Sequence, residues 1–275
     1  MNTLFDKFNL SENTAVITGG GTGLGREMAL APSRAGAYVI IAGRRQNPLK
    51  EVADIIIHEG GKCLPVQTDV TDSSEVYRLF DLSIKKFGKV DVLVNNAGMV
   101  AGQGGKPIWE ISDSEWRKVI DANLTGSFYC ARAISQHMIE RESGKIINVS
   151  SGFGLRGGRD NYMYASSKGG VIQLTRALAT SLGRYGVTSN CLVPGIFRTE
   201  GTIKSQEQLP RAEFVPVGRL GIPNEIGPIV VFLASQASNY MNGSLFSVDG
   251  GALAGGYAPT DHKPFKELSE NILRT

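Results

Sequence analysis

Along the chain, short runs of consecutive apolar residues alternate with longer segments whose apolar positions recur every three to four residues. Thr14 to Thr18, Tyr38 to Ala42, Lys62 to Thr68, Val90 to Asn95, Lys145 to Val149, Val187 to Val193 and Ser244 to Val248 read as strands. Their near-continuous apolarity is that of strands buried on both faces. Between them, helical periodicity predicts helices from near Arg26, over Pro48 to Glu59, Ser73 to Phe87, Ser114 to Glu140, and Tyr162 to Leu182. Alternating strands and helices of these lengths predict an α/β fold: a single-domain, Rossmann-like, doubly wound parallel sheet with helices on both faces. Pro32 falls inside the first helix, where it removes a hydrogen bond and predicts a kink.

Composition narrows the function classes. With 275 residues the chain can bury a sizeable core, and its net charge of +3 comes without a basic patch interleaved with aromatics, which argues against nucleic acid as a partner. Cys63, Cys130 and Cys191 are far apart within apolar stretches, as expected of buried thiols in a reducing compartment. The three histidines are scattered, and no metal-ligand spacing is present. Residues 1–10 carry acidic and polar side chains where a secretory segment needs an apolar run, and Ile226 to Ala234, the longest apolar stretch, is far shorter than the ~20 residues of a membrane span. No membrane and a cytoplasmic location are the resulting expectations.

The first strand runs directly into Gly19-Gly20-Gly21-Thr22-Gly23-Leu24-Gly25 and then into a helix. Strand, glycine turn and helix allow bare backbone to approach a pyrophosphate at a helix amino terminus, although glycines also build ordinary tight turns. After the second strand, where an acid would bind the ribose hydroxyls of NAD, stands Gly43 followed by Arg44 and Arg45. A guanidinium grips a 2′-phosphate that a carboxylate would repel, so NADP(H) is expected over NAD(H); the bland reading is a solvated turn. Asp69 at the end of the third strand is placed to reach an adenine amino group, with Val70 beside it. Asn95-Asn96-Ala97-Gly98 forms a polar turn after the fourth strand. As structure alone, these are turn residues.

In the second half, Ser151 follows a strand, and thirteen residues later Tyr164 and Lys168 stand one helical turn apart on one face. A nearby ammonium favours the phenolate, and lowering a tyrosine pKa from ~10 toward neutrality takes roughly 4 kcal/mol. Such a pair is an acid/base candidate, with Ser151 to hold a substrate oxygen. A surface lysine that happens to follow a tyrosine is the alternative. Asn123 breaks the propensity of the long helix predicted around it, which marks either a functional position or an exposed asparagine.

TGGGTGLG at Thr18 to Gly25, NNAG at Asn95 to Gly98, Asn123, Ser151, Tyr164-Ala165-Ser166-Ser167-Lys168 and Pro194-Gly195 occur in the order and approximate spacing of the short-chain dehydrogenase/reductase family, which the chain resembles over about residues 10–253. The resemblance implies a dinucleotide-binding and catalytic domain over residues 1–255, with 256–275 as a carboxyl-terminal extension. It implies a catalytic set of Asn123, Ser151, Tyr164 and Lys168, with the Asn123 carbonyl holding a water that links Lys168 to a proton path. Cofactor contacts are implied at Gly19, Thr22, Gly23, Leu24, Arg44, Arg45, Asp69, Val70, Asn96, Ala97, Gly98, Tyr164 and Lys168. Pro194, Gly195 and Thr199 complete the set beside the nicotinamide. The implied reaction is hydride transfer between NADP(H) and a ketone or secondary alcohol. The substrate is expected to resemble that of a 3-oxoacyl or general carbonyl reductase, or else that of a sugar-acid or polyol dehydrogenase of the gluconate 5-dehydrogenase kind. A dinucleotide-sensing binder without catalysis would keep the glycine loop but lack the tyrosine or lysine. A homotetramer packed through helices near 114–140 and 162–183 is also implied.

Met99 to Gly102, Gly152 to Leu155, Ile196-Phe197 and a lid over residues 200–214 are expected to line the substrate pocket. Arg156, Arg159 and Arg198 would suit an anionic substrate, or be solvated. Pro264 to Arg274 is either a short amphipathic helix over a neighbouring subunit or a frayed tail.

Overall fold

The computed structural model describes residues 3–99, 106–199 and 214–255. Seven parallel strands, β1 (Thr14–Thr18), β2 (Tyr38–Gly43), β3 (Lys62–Gln67), β4 (Val92–Asn95), β5 (Gly144–Val149), β6 (Val187–Pro194) and β7 (Leu245–Val248), form one sheet in the order β3-β2-β1-β4-β5-β6-β7. The helices are α1 (Gly23–Arg34), α2 (Gln46–His58), α3 (Ser73–Phe87), α4 (Asp113–Ile120), α5 (Gly126–Glu140), α6 (Tyr162–Leu182) and α7 (Gly227–Ala234).

Alternate strand residues feed opposite layers. Ile17, Val39, Ile41, Val94 and Ile147 pack with Met28, Leu49, Ile56 and Val230 of α1, α2 and α7. Val16, Ile40, Leu93 and Ile146 pack with Leu79, Phe80, Ile134 and Met138 of α3 and α5. The period of two thus explains the apolar runs of the central strands β1, β2 and β4, whereas the edge strands β3 and β7 are partly exposed. Because β1 lies between β2 and β4, the chain reverses its direction of travel across the sheet there, and a crevice opens at the strands' carboxyl ends.

The structure refines the sequence reading at three places. Pro32, where the sequence predicts a kink, lies inside α1, which continues to Arg34. The proline sits in the helix's last turn, where its carbonyl accepts from Ala37 N at 2.9 Å while Gly36 N bonds Ser33 O at 2.9 Å. That pair of bonds, with Gly36 at φ +99°, is a glycine-terminated helix end. Residues 223–234, apolar without periodicity, form a 3-10 turn and then α7 against α1. A Cβ on Gly227 would lie 2.6 Å from Ala31 Cβ, so the two helices touch through small residues. A helix buried on most sides carries no amphipathic signal.

The third change bears on the site. The single helix expected from 114 to 140 is two helices joined by a π-helical turn, Asp121–Thr125, in which Gly126 N bonds Asp121 O. Two contacts lie at this turn. Val70 presses on Gly126, where a Cβ would be 2.7 Å from Val70 Cγ2, and the Asn123 carbonyl is taken by Ser127 Oγ at 2.9 Å. Extra backbone in a π turn is a common mark of a functional position.

Candidate active site

At the amino-terminal side of the crevice, side chains that are absent shape the surface. Gly19 has φ +67°, and a Cβ there would meet Asn96 Nδ2 at 2.8 Å and Ala97 Cα at 2.9 Å. A Cβ on Gly25 would sit 2.0 Å from Gly19 O, so α1 closes onto the loop only because both residues are glycine. Asn96 fastens this turn from below: its Nδ2 donates to Thr18 O at 3.0 Å and Gly19 O at 3.3 Å. Thr18 Oγ1 in turn accepts from Asn96 N at 3.1 Å and Ala97 N at 3.0 Å. Thr22, which precedes α1, makes no side-chain cap, leaving the first N–H groups of the helix available to an anion.

A cavity of about 410 Å³ opens over this cradle, lined by Gly19, Thr22, Arg44, Arg45, Asp69, Val70, Ala97 and Gly98 among others. Asp69 is less free than expected, because its Oδ1 accepts from Thr71 N at 3.0 Å and Thr71 Oγ1 at 2.8 Å. Gln67 Nε2 donates to Arg44 O at 3.0 Å and steadies the turn that carries both arginines. Neither guanidinium forms an ion pair among the described residues. Sequence reading missed Gly21, Pro48, Leu49, Thr71, Lys118 and Asp121 in this wall. Lys118 and Asp121, one turn apart and just before Asn123, had the spacing to be found, but the expected unbroken helix gave no reason to place them here.

Gly23, Leu24, Asn96, Pro194, Gly195 and Thr199 lie outside that cavity wall. Thr199 nonetheless approaches the glycine loop, since a Cβ on Gly23 would be 3.7 Å from its Cβ and Cγ2. Gly195 N bonds Val248 O at 2.9 Å, which ties the end of β6 to the turn after β7.

On the carboxyl-terminal side, Ser151, Tyr164, Lys168 and Asn123 come together. The Ser151 hydroxyl stands near the Tyr164 phenol and accepts from Phe153 N at 3.3 Å. Tyr164 and Lys168 are both buried, and Lys168 Nζ is 5.8 Å from the Tyr164 ring centre. Asn123 is fully buried in the π turn: its Oδ1 accepts from Met99 N at 2.6 Å, and its Nδ2 donates to Met99 O at 3.1 Å and Ser167 Oγ at 3.0 Å. The buried asparagine therefore ties the loop after β4 to the tyrosine's helix. A Cβ on Gly98 would lie 2.9 Å from Asn123 Oδ1 and 3.6 Å from Lys168 Nζ, so the two halves of the crevice meet at that glycine. The Asn123 carbonyl, expected to hold a relay water, already accepts from Ser127 Oγ and keeps one lone pair for another donor.

Burial pushes the Tyr164 phenol above its ordinary value, opposed by the neighbouring Ser151 hydroxyl. Burial brings Lys168 down to about 8, and its ammonium is turned toward Val149 O at 2.8 Å. In the free protein the phenol is thus an acid carrying its proton.

The remaining residues named from sequence are dispersed. Gly152 to Gly154 form a 3-10 turn capped by Ser151, with Phe153 edge-on to Tyr164 at 6.4 Å. Ile196 and Phe197 line a separate cavity of about 150 Å³. Arg156 and Arg198 are exposed, with Arg156 over the Phe153 ring at 5.8 Å, and Arg159 is exposed too. Residues 100–102, most of the 200–214 lid and the segment from 256 onward fall outside the described residues. Among the described residues no group of three or more His, Cys, Asp or Glu could hold a metal, and no helix is long and apolar enough to cross a membrane.

A family model for short chain dehydrogenases matches residues 13–210. The chain belongs to the short-chain dehydrogenase family. It is 36% identical over 245 residues to a 3-oxoacyl-[acyl-carrier-protein] reductase of Synechocystis, covering 88% of this chain and 97% of that one. A solved structure of a putative NAD(P)-dependent gluconate 5-dehydrogenase from Beutenbergia cavernae, with NADP bound at low occupancy, superposes with a TM-score of 0.84 at 38% identity, over 90% of this chain and 100% of that one. A gluconate 5-dehydrogenase from Burkholderia cenocepacia, solved with NADP and tartrate, gives 0.86 at 32% identity over 92% and 100%. As in the rest of its family, the chemistry of this chain is oxidoreduction of alcohol or keto groups at a nicotinamide nucleotide.

Proposed function

We propose that the protein reduces ketones to secondary alcohols with NADP(H), Tyr164 giving the proton to the substrate oxygen. The observation that supports this reading is the convergence of Ser151, buried Tyr164 and buried Lys168, whose Nζ lies 3.6 Å from where a Cβ on Gly98 would stand. When bound, the reduced nicotinamide supplies the hydride. Ser151 and Tyr164 then present two hydroxyls to one carbonyl oxygen, and two donors aimed at a developing alkoxide stabilise it. Lys168 supplies positive charge behind the phenol and holds the end of β5 through Val149 O. Asn123 fixes the π turn and the Met99 loop that together flank the site.

The cradle fits a dinucleotide: bare backbone at Gly19 and Gly21, an uncapped α1, and a cavity long enough to run from the β2 turn to Gly98. The preference for NADP(H) rests on Arg44 and Arg45 in that cavity and on the lack of a carboxylate at Gly43. Two of the solved relatives hold NADP, which agrees with this preference.

A second reading, a sugar-acid or polyol dehydrogenase, is favoured by the gluconate 5-dehydrogenases among the solved relatives and by Arg156 and Arg159 after Ser151. A homotetramer fits the exposed aromatics of α4 and α5. Trp116 and Phe128 are about two-fifths exposed, and Arg132 lies over the Tyr77, Phe128 and Tyr129 rings at 5.9, 5.1 and 5.0 Å. We place the enzyme in the cytoplasm, a reducing compartment that suits the free thiols of Cys63, Cys130 and Cys191. A panel of simple ketones, 3-oxoacyl thioesters and keto sugar acids, assayed with NADPH and NADH, tests these assignments. NADPH oxidation with at least one class is expected, and none with any class overturns the reading.

A further inference from the structure

The wall of the large cavity carries two opposite charges that have no ionic partner. Lys118 and Asp121 stand three residues apart, on one face where α4 runs into the π turn, and both line the cavity. The other charged side chains of α4 are paired, Asp113 with Arg117 at 3.8 Å and Glu115 with Lys106 at 2.5 Å. Lys118 and Asp121 form no ion pair among the described residues, either with each other or with a third group. Asp121 gives one oxygen to Thr125 Oγ1 at 3.3 Å and keeps the other. A lysine in the last turn of a helix ordinarily answers the end carbonyls. That role is absent here, because the chain runs on into the π turn and Asp121 N already bonds Arg117 O and Lys118 O.

The surroundings show what the two charges can meet. The turn with Arg44 and Arg45 is tied to the turn after β3 by Gln67 Nε2 to Arg44 O at 3.0 Å and Thr68 N to Gly43 O at 2.9 Å. A dinucleotide whose 2′-phosphate meets the arginines therefore has its base against residues 69–71. That turn comes close to the π turn, where a Cβ on Gly126 would lie 2.7 Å from Val70 Cγ2, and Val70 and Ala122 add apolar surface to the cavity beside the two charges. Apolar faces with a charged rim suit a flat ring that has a polar edge. Since α4 follows β4, on the far side of β1 from the arginines, it meets the edge of the base turned away from the ribose. On adenine that edge is an acceptor, N1, next to a donor, the 6-amino group, and an ammonium next to a carboxylate is its complement. We propose that Lys118 donates to adenine N1 and Asp121 accepts from the 6-amino group, so that this pair selects the base of the nucleotide. This rests on the cavity taking NADP(H), and it deepens that reading by naming the groups that recognise the adenine.

The test titrates two nucleotides by fluorescence, NADPH and its analogue with hypoxanthine in place of adenine, whose N1–H and 6-oxo group reverse the pattern of donor and acceptor. The proteins are the wild type, Lys118→Gln, Asp121→Asn and the double variant. A carboxamide offers a donor or an acceptor as needed, and asparagine keeps an oxygen for Thr125, so the variants lose the choice of base and not the fold. The wild type is expected to bind NADPH about tenfold or more tighter than the analogue, since the analogue sets like against like at both positions. Each single variant should lower that ratio several-fold, and the double variant should bring it to within about twofold. A wild-type ratio near one overturns the assignment. So does a double variant that keeps the wild-type ratio, whether both affinities hold or both fall together; the second case would set Lys118 and Asp121 against a ribose or a phosphate. A wild type that binds neither nucleotide removes the NADP(H) reading and this assignment with it, whereas equal binding of both removes only the pair.

Discussion

The two sides of the crevice are built in opposite ways. Toward β1 to β4 the site is made by subtraction: Gly19 and Gly25 have no Cβ because the loop and α1 leave no room for one, and the ligand is expected to meet backbone. Toward β5 and β6 it is made by irregularity: Asn123 sits in a π turn, Asp160 has φ +52°, and Asn161 declines to cap its helix. Under the proposed function the first side would recognise what any dinucleotide shares, and the second would carry the proton and the substrate, its geometry depending on single side-chain hydrogen bonds.

Substitutions can break this contrast, and the largest effect is expected in the cradle. Gly25→Ala places a methyl against Gly19 O, so NADPH titration should show no binding and stability should fall by about 2 kcal/mol or more. Reversing charge with Arg44→Glu and Arg45→Glu together should weaken NADPH binding by about 10- to 100-fold and leave NADH nearly unchanged, read by fluorescence titration. Equal losses for both nucleotides would mean that the arginines do not meet the 2′-phosphate.

On the other side the expected effects are smaller and depend on pH. The folded pKa of Lys168, about 8, lies below its ordinary 10.5, so between those values the unfolded chain binds more protons and stability rises with pH. Below about 8 the buried ammonium carries its full cost. Lys168→Met should therefore be more stable than the wild type near pH 7, by roughly 2 kcal/mol, with the advantage shrinking toward pH 10 in denaturant melts. An advantage constant across that range would show that the ammonium is not desolvated. Smallest is Ser127→Ala, which frees the Asn123 carbonyl, with about 1 kcal/mol lost and kcat lowered several-fold, and with Ser127→Thr restoring both.

The same contrast explains what the sequence could reveal. Glycines that cannot be replaced and strands apolar on both faces leave a pattern in one dimension, so β1 and α3 fall where periodicity puts them, and Gly19, Thr22, Arg44, Arg45, Asp69, Val70, Ala97 and Gly98 of the cavity wall were named in advance. The break at Asp121 lies where Val70 comes close to Gly126, an approach of distant segments, and no local rule announces it. α7 was hidden because a helix apolar all round has no periodicity to read. Spacing put Tyr164 and Lys168 on one face, but it could not show that the ammonium turns to Val149 and that burial raises the phenol's pKa.

The account's central claim is that cofactor binding and proton transfer reside on separate sides of one crevice. It is tested most directly by titrating NADPH into Tyr164→Phe and then adding the ketone that the wild type reduces. The expected result is a dissociation constant within about twofold of the wild type, with turnover reduced by orders of magnitude. Near-normal turnover in that variant, or loss of NADPH binding together with it, would contradict the account.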